Sequence, residues 1–491
     1  MSDESFYWFD YETWGISPQW DRPAQFAGVR TDLRLNPIGE PDMFYCQLPP
    51  DYLPDPGACL VTGLEPEFVH DNGLTEPDFI HKVVRLLGSS GTCSVGYNSI
   101  RFDDEVTRHT LFRNFHDPYR HEWHDGNSRW DLLDVVRLTR ALRPEGIQWP
   151  YGDDGKPNNK LENLTAANGL EHEQAHDALS DVYATIAVAK LIQQAQPKLY
   201  NYALTLRRKQ TVADLLNWQT MAPVVHVSGM VPMDRNHTSI VVPLMRHPSN
   251  TNGIIVLDMR TDPEVLNDLD AQQIQIRLYQ QNLPAEQRIH LRTIHINRCP
   301  MVAPISTLSD DDACRIGLDR NLELERAKRV QTLGTEQLKI IGDAMGYAVN
   351  EQTEIREQAI ARCPEASLYS GGFLSDQDRR RATSITNLSP EQLIGFEASN
   401  GFFDDKRLQN LLLNYRARHA LSTLGPDEID QWQTDCSERL NEPANTVPWR
   451  TLSLFDQAMA NSKWSENNAS VRDNLLRWRE KVIHYLENPT A

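Results

Sequence analysis

The rhythm of apolar and polar positions changes twice along the chain. Up to about residue 195, apolar residues come first in compact strand-like runs, FYWFDY, AQFAGVRTD and MFYCQL, broken by turn signals such as NPIGEP. The strand CSVGYN then alternates with stretches of helical spacing. This predicts a mixed sheet with flanking helices. From about Pro197 to Val349 short β-branched runs dominate, VVHVSGM, SIVVPLM, GIIVLDM and IHLRTIHIN, with polar turns between them and a helical insertion at AQQIQIRLYQQ. A small β-barrel or sandwich fits that spacing. From about Asn350 onward Glu, Gln, Arg, Leu and Ala prevail, and DDKRLQNLLLNYRARHA and SVRDNLLRWREKVIHYL carry helical periodicity. The expected organisation is therefore an α/β (α+β) multidomain chain with units at 1–196, 197–349 and 350–491. No internal repeat or low-complexity tract interrupts it.

One strand breaks the pattern it otherwise exemplifies. FYWFDYETWG, Phe6 to Gly15, has aromatic residues on both faces, as a buried strand should, yet it carries Asp10 and Glu12. Side chains alternate along a strand, so these two acids project from the same face. Two ionised carboxylates side by side in a buried strand repel and lose hydration unless cations compensate. A divalent metal is the economical answer; a solvated strand edge is the plain alternative.

Two more acids stand where such a site needs them. In YNSIRFDDEVTRHTLF, Asn98 ends a strand and Asp103 begins a helix at the mouth of the sheet, although Asp103 or Asp104 could simply cap that helix. In HDALSDVYATIAVAKLI, His176 stands at a helix start and Asp181 about one and a half turns inside, beside Ala178, Ala184 and Thr185, which let the helix approach a sheet. A lone His before a helix is more often a surface or capping residue.

Composition narrows the class. The 491 residues are 40% hydrophobic and 24% charged, the profile of a folded soluble protein. A formal charge of −19 argues against nonspecific adhesion to nucleic acid or anionic membrane, so any polyanion must be held locally. The seven cysteines are scattered without a CxxC pair, which suggests reduced core residues and no zinc ribbon. No signal pattern or membrane-length apolar run is evident, and the cytoplasm is the default location.

The order Asp-x-Glu on a strand, Asn-x-x-x-Phe-Asp, then His-x-x-x-x-Asp on a helix resembles the DEDDh branch of the 3′-to-5′ exonucleases, with its ribonuclease H-like fold. The segments DRPAQFAGVRTD, GYNSIRFDDEVTRHTLFRNFHDPY, NSRWDLLDVVRLTRALRPEGIQWP, LENLTAANGLEHEQAHDALSDVYATIA, VVHVSGM, HINRCP and NYRAR narrow the likeness to the bacterial exodeoxyribonuclease I family, across nearly the whole chain. That resemblance implies a nuclease domain, an SH3-like barrel domain and an all-helical C-terminal domain.

It also implies a mechanism and partners. Hydrolysis would use two Mg²⁺ ions, replaceable by Mn²⁺, held by Asp10, Glu12, Asp103 and Asp181, with Asp10 the expected bridge. His176 would act as general base, and Glu12 would also touch substrate. Processive digestion of single-stranded DNA from the 3′ end would release 5′-mononucleotides in repair, mismatch repair and recombination. Strand contacts would fall on Arg108, Tyr119, Trp123, Arg137 and Lys160. Arg113 joins them because residues 101–143 hold eight Arg against eight Asp or Glu, with six aromatic residues interleaved, a neutral stretch in an acidic chain. Lys160 stands where the family more often has Arg. Lys209, Arg298, Arg416 and Arg418 are further candidates, with exposed scaffold charge as the alternative. The acidic tail of single-strand DNA-binding protein would dock at Arg143 and Tyr202, although Ala222, Pro304 and Ser309 depart from the polar or basic groups expected there. A monomer is expected. Two other readings stay open: a DEDDh nuclease acting on RNA or in proofreading, and a non-catalytic strand-binding adaptor.

Overall fold

The computed structural model describes residues 4–171, 177–280, 283–284, 287–346, 360, 362–394, 401–443 and 447–488. The aromatic strand Ser5–Thr13 (β1) lies at the centre of a five-stranded sheet. It pairs antiparallel with Pro23–Thr31 (β2), which carries Asp42–Tyr45 (β3) at the edge. On its other side it pairs parallel with Thr92–Gly96 (β4), itself parallel to Ser128–Asp131 (β5).

Both faces of β1 are covered, which is why its apolar residues do not alternate with polar ones. Phe6 and Trp8 pack with Val182, Ile186 and Ala189 of the helix Ala178–Ala195. Tyr7, Phe9 and Tyr11 face the opposite way, against Phe79, Ile80 and Val83 of the helix Glu76–Leu87 and Val106 and Leu111 of the helix Asp103–Arg113. Asp177 caps the 178–195 helix by accepting the Ser180 amide, and the buried Ala178, Ala184 and Ala189 keep its inner face small.

The second sheet is wholly antiparallel. Val224–Val227 (β6), Thr238–Arg246 (β7), Gly253–Asp258 (β8), Leu291–His295 (β9) and Met301–Pro304 (β10) run in the order β10-β6-β7-β8-β9. The SH3-like unit is thus an open sheet among the described residues, with β9 and β10 as its edges. Pro243 sits in β7 where the register shifts, and Pro304 ends an edge strand, the two settings in which a strand tolerates proline.

The C-terminal unit is helical and is bound to the first by shared cores. Trp14, Leu48 and Tyr52 pack with Leu440, Phe455, Leu475 and Trp478, while Phe112 and Phe115 enter a cluster with Ile385, Phe403, Leu408 and Leu412. All seven cysteines are free, five of them buried. No helix among the described residues is long and apolar enough to cross a membrane.

Candidate active site

The period-two pattern of β1 builds the site. Phe6, Trp8, Asp10 and Glu12 share a face, so the strand that buries two aromatic rings under the 178–195 helix aims its two acids at that helix's first turns. Asp181 meets them there: carboxylate oxygens of Asp10, Glu12 and Asp181 all lie within 4.8 Å of one another.

Asp103 arrives by a different route. The β1–β4 ladder ends at the Trp8–Val95 pair, and the chain turns away through Gly96, where a Cβ would lie 2.9 Å from the Phe9 carbonyl oxygen. The helix that follows places Asp103 so that its carboxylate accepts the Tyr11 amide at 3.3 Å. Asp103 therefore occupies the first turn without capping it; Phe102 holds the cap position and no side chain bonds there. Asp104 points elsewhere, paired to Arg129 at 2.7 Å.

The electrostatics are those of a buried anionic cluster. Burial, then the charges of Asp103, Glu12, Asp181 and Asp177, push the Asp10 carboxyl well above the usual carboxylate range. Burial and the same neighbours push Glu12 up to about 8. Burial and Asp104 raise Asp103. Groups held in this way are stable as anions only beside cations. An all-carboxylate oxygen set suits hard divalent ions such as magnesium, so the residues present fit the expected metal.

Asp10 and Asp181 open into a cavity of about 720 Å³, whose lining also includes Tyr97, Asn98, Arg137 and Lys160. Arg137 donates to Asp134 at 2.7 Å, and Lys160 stands largely free on the rim, 3.8 Å from Glu162. Tyr119 and Trp123 lie in a separate cavity of about 560 Å³, facing Phe373, Arg379 and Arg380 of the helical unit. Trp123 is 65% exposed and Phe373 88% exposed.

Two of the expected strand contacts are paired with acids. Arg108 is buried, bonded to Glu122 through two nitrogens at 2.6 Å and 2.8 Å and to Glu105 at 2.7 Å. Arg113 is buried against Glu76 at 2.6 Å. The composition that singled out Arg113 did not show that Glu76 meets it. Arg416 and Arg418 are likewise internal, bound to Glu428 and to Asp51 with Glu365, so neither presents a free charge. Arg298 stays half-exposed, 4.0 Å from Glu105. Arg143 lies beside Asp312 at 3.5 Å, and Tyr202 donates to the Val302 carbonyl at 2.8 Å. His176 lies outside the described residues.

Sequence reasoning missed three contributors. Asp177 adds to the field at Asp10 and Glu12, and its only local signal is the cap position. Gly229 and Met233 line the acid cavity from the SH3-like unit, and no local pattern marks them.

Comparison with known proteins fits this architecture. Residues 7–189 match an exonuclease family model, 207–341 the exonuclease I SH3-like domain and 362–488 the exonuclease I C-terminal domain. The chain is 43% identical over 452 residues to exodeoxyribonuclease I of Haemophilus influenzae, covering 90% of this chain and 92% of that protein. A moderately thermophilic exonuclease I from Methylocaldum szegediense superposes with a TM-score of 0.88 at 42% identity, over 98% of this chain and 100% of that one. E. coli exonuclease I, solved in complex with a dA16 oligonucleotide, gives a TM-score of 0.88 at 39% identity over the same shares. With three family models in the order its strands and helices require, and an acid cluster at the mouth of its first sheet, the chain belongs to the exodeoxyribonuclease I family and is an exonuclease.

Proposed function

We propose that this exonuclease digests single-stranded DNA processively from the 3′ end and releases 5′-mononucleotides, in repair, mismatch repair and recombination. One observation carries the reading: of three carboxylates within 4.8 Å of one another, Asp10 and Asp181 line a cavity that Arg137 and Lys160 also line, so a cation site and a phosphate site adjoin. The dA16 complex of the E. coli relative supports the choice of strand.

Asp10, Glu12, Asp103 and Asp181 would hold two Mg²⁺ ions, with Mn²⁺ as a substitute. When bound, such a pair neutralises charge on the attacking and leaving oxygens of the phosphodiester. A zinc-bound complex of E. coli exonuclease I with single-stranded DNA, at 38% identity and a TM-score of 0.88, supports a metal centre. Arg137 and Lys160 set the phosphate against that centre. By family resemblance His176 takes a proton from the attacking water, a task suited to a side chain that titrates near neutrality. Tyr119 and Trp123 offer ring faces to bases upstream, where stacking tolerates any sequence. Arg108, 5.3 Å from the Tyr119 ring centroid, supports that platform from below.

Arg143 and Tyr202 are the proposed seat for the acidic tail of single-strand DNA-binding protein, a partner named with one solved exonuclease I structure at 39% identity and a TM-score of 0.84. The domain limits are placed at 1–196, 197–349 and 350–491, in a cytoplasmic monomer.

The test is digestion of DNA strands labelled at either end, with matched RNA strands, with and without chelator, for the native chain and His176→Ala. Mononucleotides from the 3′ end of DNA, lost with chelator and nearly lost in the variant, are expected. Release from the 5′ end, equal digestion of RNA, or indifference to chelator would refute the assignment.

A further inference from the structure

Part of the wall of the acid cavity comes from the SH3-like unit, not from the nuclease unit. Gly229, Met233 and His237 line it beside Arg137. The loop carrying them is braced by its own bonds: Ser228 donates its amide to the His237 carbonyl, the Val231 amide returns to Ser228, and the His237 ring bonds the Val231 carbonyl at 2.9 Å. Asn236 and His237 both adopt positive φ, 46° and 59°, which fixes a tight return into β7. Arg235 anchors the loop from outside on the buried Glu323.

This loop touches the nuclease unit at one informative place. A Cβ on Gly229 would lie 3.1 Å from Cζ and Nη2 of Arg137 and 3.2 Å from Nη1. The guanidinium is thus seated flat on the glycine backbone, with Asp134 holding Nη1 at 2.7 Å. Its Nε is buried without a hydrogen-bond partner among the described residues. Arg137 itself lines the cavity, so a guanidinium clamped there between a glycine and a carboxylate is held to present its Nη donors to an incoming acceptor.

We infer that Gly229 is a positioning residue for the nuclease site: the SH3-like unit completes the catalytic cavity by seating Arg137 against a glycine, so that the guanidinium meets a phosphate of the bound strand. The inference rests on the reading that Arg137 contacts the strand. It makes end-pocket geometry depend on how the second unit sits on the first, and it needs a residue without a side chain at 229 for steric reasons, not for backbone freedom, since Gly229 is not among the positive-φ glycines.

The experiment is a double-mutant cycle on the full chain with a short single-stranded DNA oligomer. Gly229→Ala and Gly229→Val should raise KM about threefold and about tenfold, with kcat changed by less than about twofold, because seating the phosphate is lost while the acids are untouched. Arg137→Ala should raise KM at least as much, and adding Gly229→Val to it should cost nothing further, since residues acting through one contact are not additive. Urea unfolding midpoints equal to the native protein's accompany the expected result, and the alanine variant carries the test should valine disturb folding. Additive effects, or a KM raised by Arg137→Ala but unchanged by either Gly229 variant, would overturn the inference while sparing the assignment of Arg137. An unchanged KM in Arg137→Ala alone would overturn both.

Discussion

Arg418 grips Asp51 through two hydrogen bonds, 2.9 Å and 2.7 Å long, across 367 residues of chain. Asp51 is fully buried and also receives Arg439, while Arg418 turns its other edge to Glu365. The helical unit is thereby bolted to the loop after β3 of the nuclease unit. Removing one charge from such a cluster strands the others in a site they cannot leave, which typically costs about 3–5 kcal/mol. Asp51→Asn should lower the free energy of unfolding by about that amount, and a urea titration against the native chain measures it.

The same cluster sets an acid limit. Three arginines around Asp51 and Glu365 hold both carboxyls below their ordinary range, Glu365 at about 2. A carboxylate depressed in the folded state stabilises fully above its unfolded value of about 4, and that stabilisation is lost as pH falls through the folded value. The contribution of this cluster to the urea midpoint should therefore be flat from neutrality to about pH 5 and fall steeply between about pH 4 and pH 2. In Asp51→Asn the fall should be shallower, because one of the two proton-binding sites created by unfolding is gone.

What could be read in the sequence follows from what is local. Asp10 and Glu12 were legible because strand alternation is fixed by covalent geometry, and Asp181 because a helix turn is. Asp103 was legible as a site residue, but its bond to the Tyr11 amide was not, since that depends on where the β1–β4 ladder stops. Arg108 and Arg113 show the limit from the other side. Charge counting cannot tell an arginine facing a groove from one folded onto Glu122 or Glu76. Gly229 was invisible for a related reason: its importance lies in a guanidinium 92 positions earlier, brought to it only by the packing of two units.

Removing a carboxylate from the acid cluster should trade activity for stability. Without metal, Asp10 is opposed by Asp103, Glu12, Asp181 and Asp177 together. Asp10→Asn relieves that repulsion while keeping the shape, so the chelated variant should melt a few degrees above the chelated native chain. Its activity with magnesium should fall on the order of a thousandfold, as loss of charge stabilisation at a reacting phosphate commonly costs two to three powers of ten or more. Added magnesium should raise the melting temperature of the native chain and leave that of the variant nearly unchanged.

Lys160 offers a gain of function. Its ammonium stands largely exposed on the rim of the acid cavity, 3.8 Å from Glu162, so a larger head has solvent to extend into. Arginine there would replace a point charge with a planar fork that binds phosphate through two parallel bonds. Lys160→Arg should lower KM for single-stranded DNA by about threefold, a fraction of what a charge-assisted pair contributes. Steady-state kinetics at two salt concentrations check it, since the gain should survive the higher salt better than a purely ionic contact would.

The aromatic cavity away from the acids supplies the last outcome. Tyr119 and Phe373 meet edge to face at 6.0 Å, and Trp123 stands on the same rim with most of its ring in solvent. Arg380, on the same wall, is exposed and makes no ion pair among the described residues, so phosphate attraction and base stacking are offered together. Stacking on one aromatic face contributes about 1–3 kcal/mol per base. Trp123→Ala and Phe373→Ala should each weaken binding of a long single strand by about five- to a hundredfold, the range that energy implies. An oligomer too short to reach from the acids to this cavity should be cut equally well by all three proteins. A length series of fluorescent strands, read by anisotropy for binding and by nucleotide release for turnover, separates the two effects. Equal losses on the shortest strands would place these rings at the reacting end instead of along the path.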